Sequence, residues 1–239
     1  MKKTRVYCIP HAGGSAMVYN KWNEFAGNHI EIVPVELAGR GNRIREQLYE
    51  TLEEAVDDVY RSIESKLDDC PYVIYGHSMG SWIALELCFK IIQQKKSSPI
   101  TLIISGKEPP IKERGGKIIH QLNEEEFKKE MLKLGGTPKE VFNNEELKKL
   151  FVPIIRSDYK IIETYDTKKS FEKLAYPIVL FNGIDDDITA DEVESWKNYT
   201  SKNFEFHNFK GGHFFVYENA KEVVDKINNL ILVGGEHDK

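Results

Sequence analysis

The sequence predicts an α/β chain, a mostly parallel, doubly wound sheet flanked by helices and interrupted by one helical insertion. Three observations predict it. Apolar runs of strand length alternate with segments of helical periodicity along the 239 residues. "YVIY" (72–75) and "ITLIIS" (100–105) are apolar without interruption, as strands covered on both faces are. Residues 107–172 hold no strand-like run, only charged amphipathic pieces, which is too long for an ordinary crossover. The chain therefore divides into a core of residues 1–106 and 173–239 and a helical insertion of residues 107–172, expected to lie over one end of the sheet as a lid.

The elements follow in order. "RVYCI" (5–9) is β-rich and ends at Pro10 before the turn-prone "HAGGS", and "HIEIVPVE" (29–36) is a second strand-like run. In "TLEEAVDDVYRSIESKL" the residues Leu52, Ala55, Val56, Val59, Ile63 and Leu67 share one helical face, opened by Thr51 with Glu54 three residues on. A helix over 79–94 separates "YVIY" from "ITLIIS". After the insertion come "PIVLFNG" (177–183), a helix capped by Thr189 and Glu192, "NFEFHNF" (203–209) and a last helix over about 219–232.

Composition narrows the function. A formal net charge of −5 gives no support to nucleic-acid binding, which uses a basic face. The three cysteines Cys8, Cys70 and Cys88 are far apart and lack CxxC spacing, so neither a disulfide framework nor a zinc site is expected. No run approaches the ~18 apolar residues of a membrane span, and no apolar h-region follows the N-terminal lysines. The expectation is a cytoplasmic protein without membrane attachment, a monomer by default, needing no metal or organic cofactor.

"GHSMG" (76–80) carries the chemistry. It matches G-x-S-x-G between a strand and a helix, where a serine stands on a strained turn and the glycines let the two segments approach. The helix beginning near Met79 aims its free N–H groups at Ser78. A serine at its ordinary pKa is a poor nucleophile and needs an oriented base. Of seven histidines, His77 points away along the turn, His29 and His207 lie in strand-like runs, His120 in the insertion and His237 in the tail. His213, in "FKGGHFF", lies in a glycine-rich loop at the carboxyl edge of the sheet, where Ser78 also stands, and is the expected base. The acid belongs after an intermediate strand, and "NGIDDDIT" offers Asp185, Asp186 and Asp187; spacing from Gly183 favours Asp186, with Asp185 next. The two oxyanion donors are expected to be the backbone N–H groups of Met79 and of Ala12 in "PHAGGS". His11 is assigned to shaping that loop.

With these residues placed, the chain resembles the type II thioesterases of nonribosomal peptide and polyketide synthesis, members of the α/β-hydrolase superfamily. The resemblance rests on "PHAGGSA", "GHSMG", "SGKEPP", "LGGTP", "PIIRSDY", "NGIDDDIT" and "FKGGHFF", in the family's order over nearly the whole chain. It implies the α/β-hydrolase fold, with the family's serine, aspartate and histidine falling on Ser78, Asp186 and His213. It also implies hydrolysis of acyl, aminoacyl or peptidyl thioesters on the phosphopantetheine arm of acyl or peptidyl carrier domains, the arm belonging to the substrate. Two departures stand out: Ala38 in "ELAGRG", where the family commonly has proline, and Ser81, where glycine or alanine is usual.

The insertion would then shape the acyl pocket, with Phe127, Met131, Phe151, Ile154 and Ile155 as apolar candidates. Arg156 and Asp158 are expected to form a structural ion pair. Lys107, Lys112, Arg114 and Lys117 make a basic stretch that could meet an acidic carrier helix. A general carboxylesterase or lipase would use the same triad. A non-catalytic binding protein would use only the pocket, and the ordered serine, carboxylate and histidine speak against it.

Overall fold

Among the described residues six strands, all parallel, form one sheet in the order β2-β1-β3-β4-β5-β6. They are β1 (Thr4–Ile9), β2 (Ile30–Pro34), β3 (Tyr72–His77), β4 (Leu102–Ser105), β5 (Ile178–Gly183) and β6 (Phe204–Phe209). The computed structural model describes residues 2–110, 117–166 and 172–234. Lys112, Arg114 and His237 lie outside the described residues.

Strand periodicity sorts the core into two layers. In β1, Val6 and Cys8 face one layer and Tyr7 and Ile9 the other; in β3, Val73 and Tyr75 alternate with Tyr72 and Ile74 in the same way. One layer is covered by α1 (Leu52–Ile63) and α2 (Met79–Gln93), the other by a 3-10 helix over Ala16–Glu24 and, after the sheet, by the last helix. The 3-10 segment was not anticipated from sequence, because Tyr19 and Trp22 at a spacing of three do not make a full α-helical stripe. Thr51 caps α1 by accepting the Glu54 N–H, but the Glu54 carboxylate turns to the Glu50 N–H, so the expected reciprocal bond is made one residue early.

Between β4 and β5 the described residues form α3 (Glu124–Leu134), α4 (Lys139–Asn143) and α5 (Glu145–Glu163). Asn123 and Asn144 cap α3 and α5 with their side chains. Phe127, Met131, Val141, Phe142 and Ile155 close a small apolar core among these helices. Beyond β5, α6 (Ala190–Ser195) opens with a complete capping box of Thr189 and Glu192, and after β6 come α7 (Phe215–Glu218) and α8 (Ala220–Gly234).

Strand order positions the site. β1 has β2 on one side and β3 on the other, so the connections leaving β1 and β3 depart in opposite directions along the sheet. A crevice opens at the carboxyl ends of strands at such a switch point. The "PHAGGS" loop follows β1 and Ser78 follows β3, which sets the two side by side. Among the described residues no helix is long and apolar enough to cross a membrane.

Candidate active site

Ser78 sits at φ +53°, ψ −118°, one of two non-glycine residues with positive φ among those described. A non-glycine backbone held this way costs about 1–3 kcal/mol and persists only where the surroundings enforce it. Here they do. A Cβ on Gly76 would fall 2.1 Å from the Gly80 carbonyl oxygen, and one on Gly80 would fall 2.2 Å from that of Ile9. The two glycines thus let α2 begin directly against the end of β1. The Ser78 N–H donates to Ser105 C=O at 2.8 Å. The Ser81 hydroxyl donates to Gly76 C=O at 2.8 Å and accepts the Ser105 N–H at 3.1 Å. The Ser81 hydroxyl therefore ties the turn to β4.

The structure brings Ser78, His213 and Asp186 into one chain of contacts. Ser78 Oγ lies 2.9 Å from His213 Nε2, and His213 Nδ1 lies 2.9 Å from Asp186 Oδ2. With Asp186 ionised, the Nδ1–H tautomer satisfies both: Nδ1–H donates to the carboxylate and Nε2 accepts from the serine hydroxyl. Burial pushes the Asp186 carboxyl up, but the His213 hydrogen bond and charge, the Asp187 N–H and Lys107 outweigh it and hold the group below the ordinary carboxylate value. Asp185 and Asp187 are exposed, and of the three it is Asp186 that bonds His213. The loop carrying His213 reaches this place because Gly183 ends β5 without a side chain; a Cβ there would meet the Gly212 carbonyl oxygen at 2.3 Å.

Two more histidines pack around this relay. His77 bonds away from Ser78, its Nδ1 2.9 Å from the Ser105 hydroxyl, while its ring lies 5.2 Å from that of His213. His11 donates from Nδ1 to its neighbour's carbonyl, Ala12 C=O, at 2.8 Å, which is the loop-shaping task expected of it. Burial pushes its pKa down to about 4 and that of His77 well below the ordinary value. Both rings are neutral at pH 7, so they place no like charge against His213.

The expected oxyanion donors lie where the "PHAGGS" loop meets the start of α2. Met79 is the first residue of α2, so its N–H has no intrahelical partner. Among the described residues the Ala12 N–H has no hydrogen-bond partner either, although its neighbours are engaged: Gly14 N–H donates to His11 C=O at 2.9 Å and Gly13 N–H to Asp158 Oδ2 at 2.7 Å.

Asp158 corrects one expectation. Its ion pair is with Arg40, not Arg156: Arg40 Nη1 and Nη2 donate to the two carboxylate oxygens at 2.6 and 2.7 Å, and both side chains are almost completely buried. Arg156 instead donates to His120 C=O at 2.8 Å and lies over the Phe127 ring. Residues two apart on a helix point to different faces, so Arg156 and Asp158 could not have met. Sequence reasoning missed Arg40. Its one local signal is an arginine between two glycines in the otherwise apolar "VELAGRGN". Ala38 in the same loop donates its N–H to the Tyr49 hydroxyl at 2.9 Å, a bond proline could not make.

Two cavities flank the site. One of about 460 Å³ is mainly apolar and is lined by Ala12, Gly13, Pro138, Val141, Phe151 and Ile155. The other, about 510 Å³, is mixed in character and is lined by Lys107, Lys133, Asp185, Asp187 and His213 among others. Of the five apolar candidates, Phe151 and Ile155 therefore face a cavity beside the loop. Phe127 and Met131 pack instead into the core among α3, α4 and α5, and Ile154 is buried away from that cavity. The helical period separates them: 151 and 155 are one turn apart on one face. Of the basic stretch, Lys107 pairs with Glu108 and Lys117 with Glu130. Among the described residues no group of three or more His, Cys, Asp or Glu side chains is placed to hold a metal ion.

Comparison with known proteins adds to this geometry. A family model described as a thioesterase domain matches residues 4–231. The gramicidin S biosynthesis protein GrsT of Aneurinibacillus migulanus is 33% identical over 224 residues, 93% of this chain and 87% of that protein. Thioesterase PikA5 of Streptomyces venezuelae is 32% identical over 230 residues, 96% of this chain and 81% of its own length. The crystal structure of ClbQ, from the colibactin NRPS/PKS pathway, is 37% identical and superposes with a TM-score of 0.92, covering 98% of this chain and 99% of that one.

Proposed function

This chain belongs to the thioesterase family, hydrolases of thioester bonds, and on that premise we propose that it is a type II, editing thioesterase serving nonribosomal peptide or polyketide synthesis. Its substrates in this reading are acyl, aminoacyl or peptidyl groups held as thioesters on the phosphopantetheine arm of a carrier protein. One observation carries the catalytic part: the continuous relay from Asp186 through His213 to Ser78, set beside two N–H groups left unpaired at Ala12 and Met79. The substrate class is supported by the pathways in which GrsT and ClbQ are placed by name.

In this mechanism Ser78 attacks the thioester carbonyl while His213 Nε2 takes its proton. Asp186 holds the tautomer and balances the imidazolium. The carbonyl oxygen becomes an oxyanion held by the Ala12 and Met79 N–H groups, each worth on the order of 3–4 kcal/mol when lost. His213 returns its proton to the leaving thiol, and the acyl group stays on Ser78. Water, deprotonated by His213, then attacks that ester and releases the acid. The apolar cavity beside Ala12 takes the acyl chain, and the segment between β4 and β5 acts as its lid. No resident cofactor enters any step.

The test is mass spectrometry of carrier proteins loaded with several acyl and aminoacyl groups, before and after exposure to the chain. Loss of the acyl mass with the natural chain, and none with Ser78→Ala, is the expected result. An oxygen ester of the same acyl group, hydrolysed as fast as the carrier-bound thioester, would favour a general esterase instead.

A further inference from the structure

We propose that Asp158, paired with Arg40, is a positioning residue for the oxyanion hole: it sets the aim of the Ala12 N–H from the helical segment between β4 and β5. The proposal rests on the serine-hydrolase reading above and adds to it a dependence of the anion-stabilising donor on α5.

In a trans peptide the N–H and the C=O point in opposite directions, so holding one aims the other. The Ala12 N–H shares its peptide with His11 C=O, which accepts the Gly14 N–H at 2.9 Å. The next peptide is held at both ends: Ala12 C=O by His11 Nδ1 at 2.8 Å, and Gly13 N–H by Asp158 Oδ2 at 2.7 Å. Gly14 C=O in turn accepts Arg40 Nη1 at 3.1 Å. Asp158 and Arg40 thus hold the loop on the far side of the residue whose N–H is left open. Asp158 is 1% exposed and Arg40 3%, so water does not replace these bonds.

A buried ion pair contributes little net stability by itself. Packing alone therefore does not account for a bidentate pair spanning 118 residues whose carboxylate also takes a backbone N–H beside the nucleophile. Its place explains it: Asp158 sits on α5, Arg40 follows β2, and Gly13 follows β1, so the three meet only when α5 is seated on the sheet edge. The open N–H is aimed in that arrangement and loses its support when α5 moves away.

The experiment compares two paired replacements on an acyl-pantetheine thioester. Arg40→Met with Asp158→Leu removes both charges and fills the space with apolar side chains, leaving Gly13 N–H without an acceptor. Arg40→Gln with Asp158→Asn also removes both charges but keeps an oxygen for that N–H. The first is expected to lower kcat by between about 10- and 100-fold with KM changed less than twofold, since displacing a donor costs part of what deleting it does. Its affinity for a trifluoromethyl ketone, which forms a tetrahedral adduct on serine, should fall by the same factor. The second should recover most of both. Wild-type kcat in the first variant overturns the proposal, as do equal losses in both variants that follow Tm. A wild-type chain that does not cleave the thioester would instead strike the hydrolase reading itself.

The unmodified chain supplies a second measurement that requires no variant to fold. By amide exchange, Gly13 should be protected in the free protein and Ala12 should become protected only with the ketone bound. A freely exchanging Gly13 amide contradicts the proposal.

Discussion

The two halves of the catalytic crevice are built differently. The proposed acid–base half, Ser78, His213 and Asp186, stands on connections that leave β3, β6 and β5: the Ser78 N–H donates to Ser105 C=O, the Asp186 N–H to Gly183 C=O, and the His213 ring is held by Asp186. The anion-binding half hangs on the loop after β1, whose Gly13 and Gly14 are held by two side chains from outside the sheet's own connections to Ser78. The hydrogen bonds of the relay run among the connections leaving β3, β5 and β6 and use no side chain of α3, α4 or α5. The oxyanion donor at Ala12 depends on α5 being seated. On the proposed reading, catalytic competence separates into a relay built on the sheet's own connections and an anion-binding part that α5 completes.

The largest effect is expected at Asp186. Asp186→Asn keeps the shape of the relay but removes the charge that selects the Nδ1–H tautomer of His213, and kcat is expected to fall by about 10⁴. Asp185→Asn, at an exposed side chain, should stay within about twofold. Steady-state kinetics on one acyl thioester decide it, and similar losses in the two variants would contradict the assignment of the acid.

Acid separates the two halves by a smaller effect. His11 has its folded pKa lowered from 6.5 to about 4 by burial, so the unfolded chain takes up a proton first as pH falls. The stability tied to this histidine is complete above about pH 6.5 and drains away towards pH 4, by about 3 kcal/mol in all. His77 adds in the same direction. Asp186 behaves differently: its pKa is lowered from 3.8, so its contribution persists until the pH falls through that range. Urea midpoints measured from pH 7 to pH 4.5 should therefore decline while Asp186 is still ionised, and His11→Gln should make the decline shallower. A midpoint flat over that interval would refute the account of His11.

What was legible in the sequence divides along the same line. The places of Ser78, Asp186 and His213 were legible because each follows a strand beside glycines that leave local marks: Cβ atoms on Gly76, Gly80 and Gly183 would collide with neighbouring backbone, and Gly211 before His213 sits at φ +96°. The alternation of strands and helices likewise specified the sheet and its carboxyl edge. Arg40 with Asp158 left no such mark. Their contact spans 118 residues, and Asp158 was matched instead with Arg156, which shares its helix but not its face. Phe127 and Met131 read as pocket residues because an apolar helical stripe looks the same whether it faces a ligand or two other helices. The basis for Ala38 was equally hidden, since the Tyr49 hydroxyl that takes its N–H lies 11 residues away.

The account rests on an acyl group passing through Ser78, and that passage can be weighed directly. A His213→Ala chain retains the nucleophile and the anion-binding loop but lacks the base that activates water. Natural chain and variant are mixed with a carrier-bound acyl thioester, quenched in acid within the first turnovers, and read by intact and peptide mass spectrometry. The account predicts an adduct of the acyl mass in the peptide containing Ser78, transient in the natural chain, slower to form and longer-lived in the variant, and absent in Ser78→Ala. Hydrolysis that proceeds with no adduct in the natural chain, or an adduct on a residue other than Ser78, would contradict it.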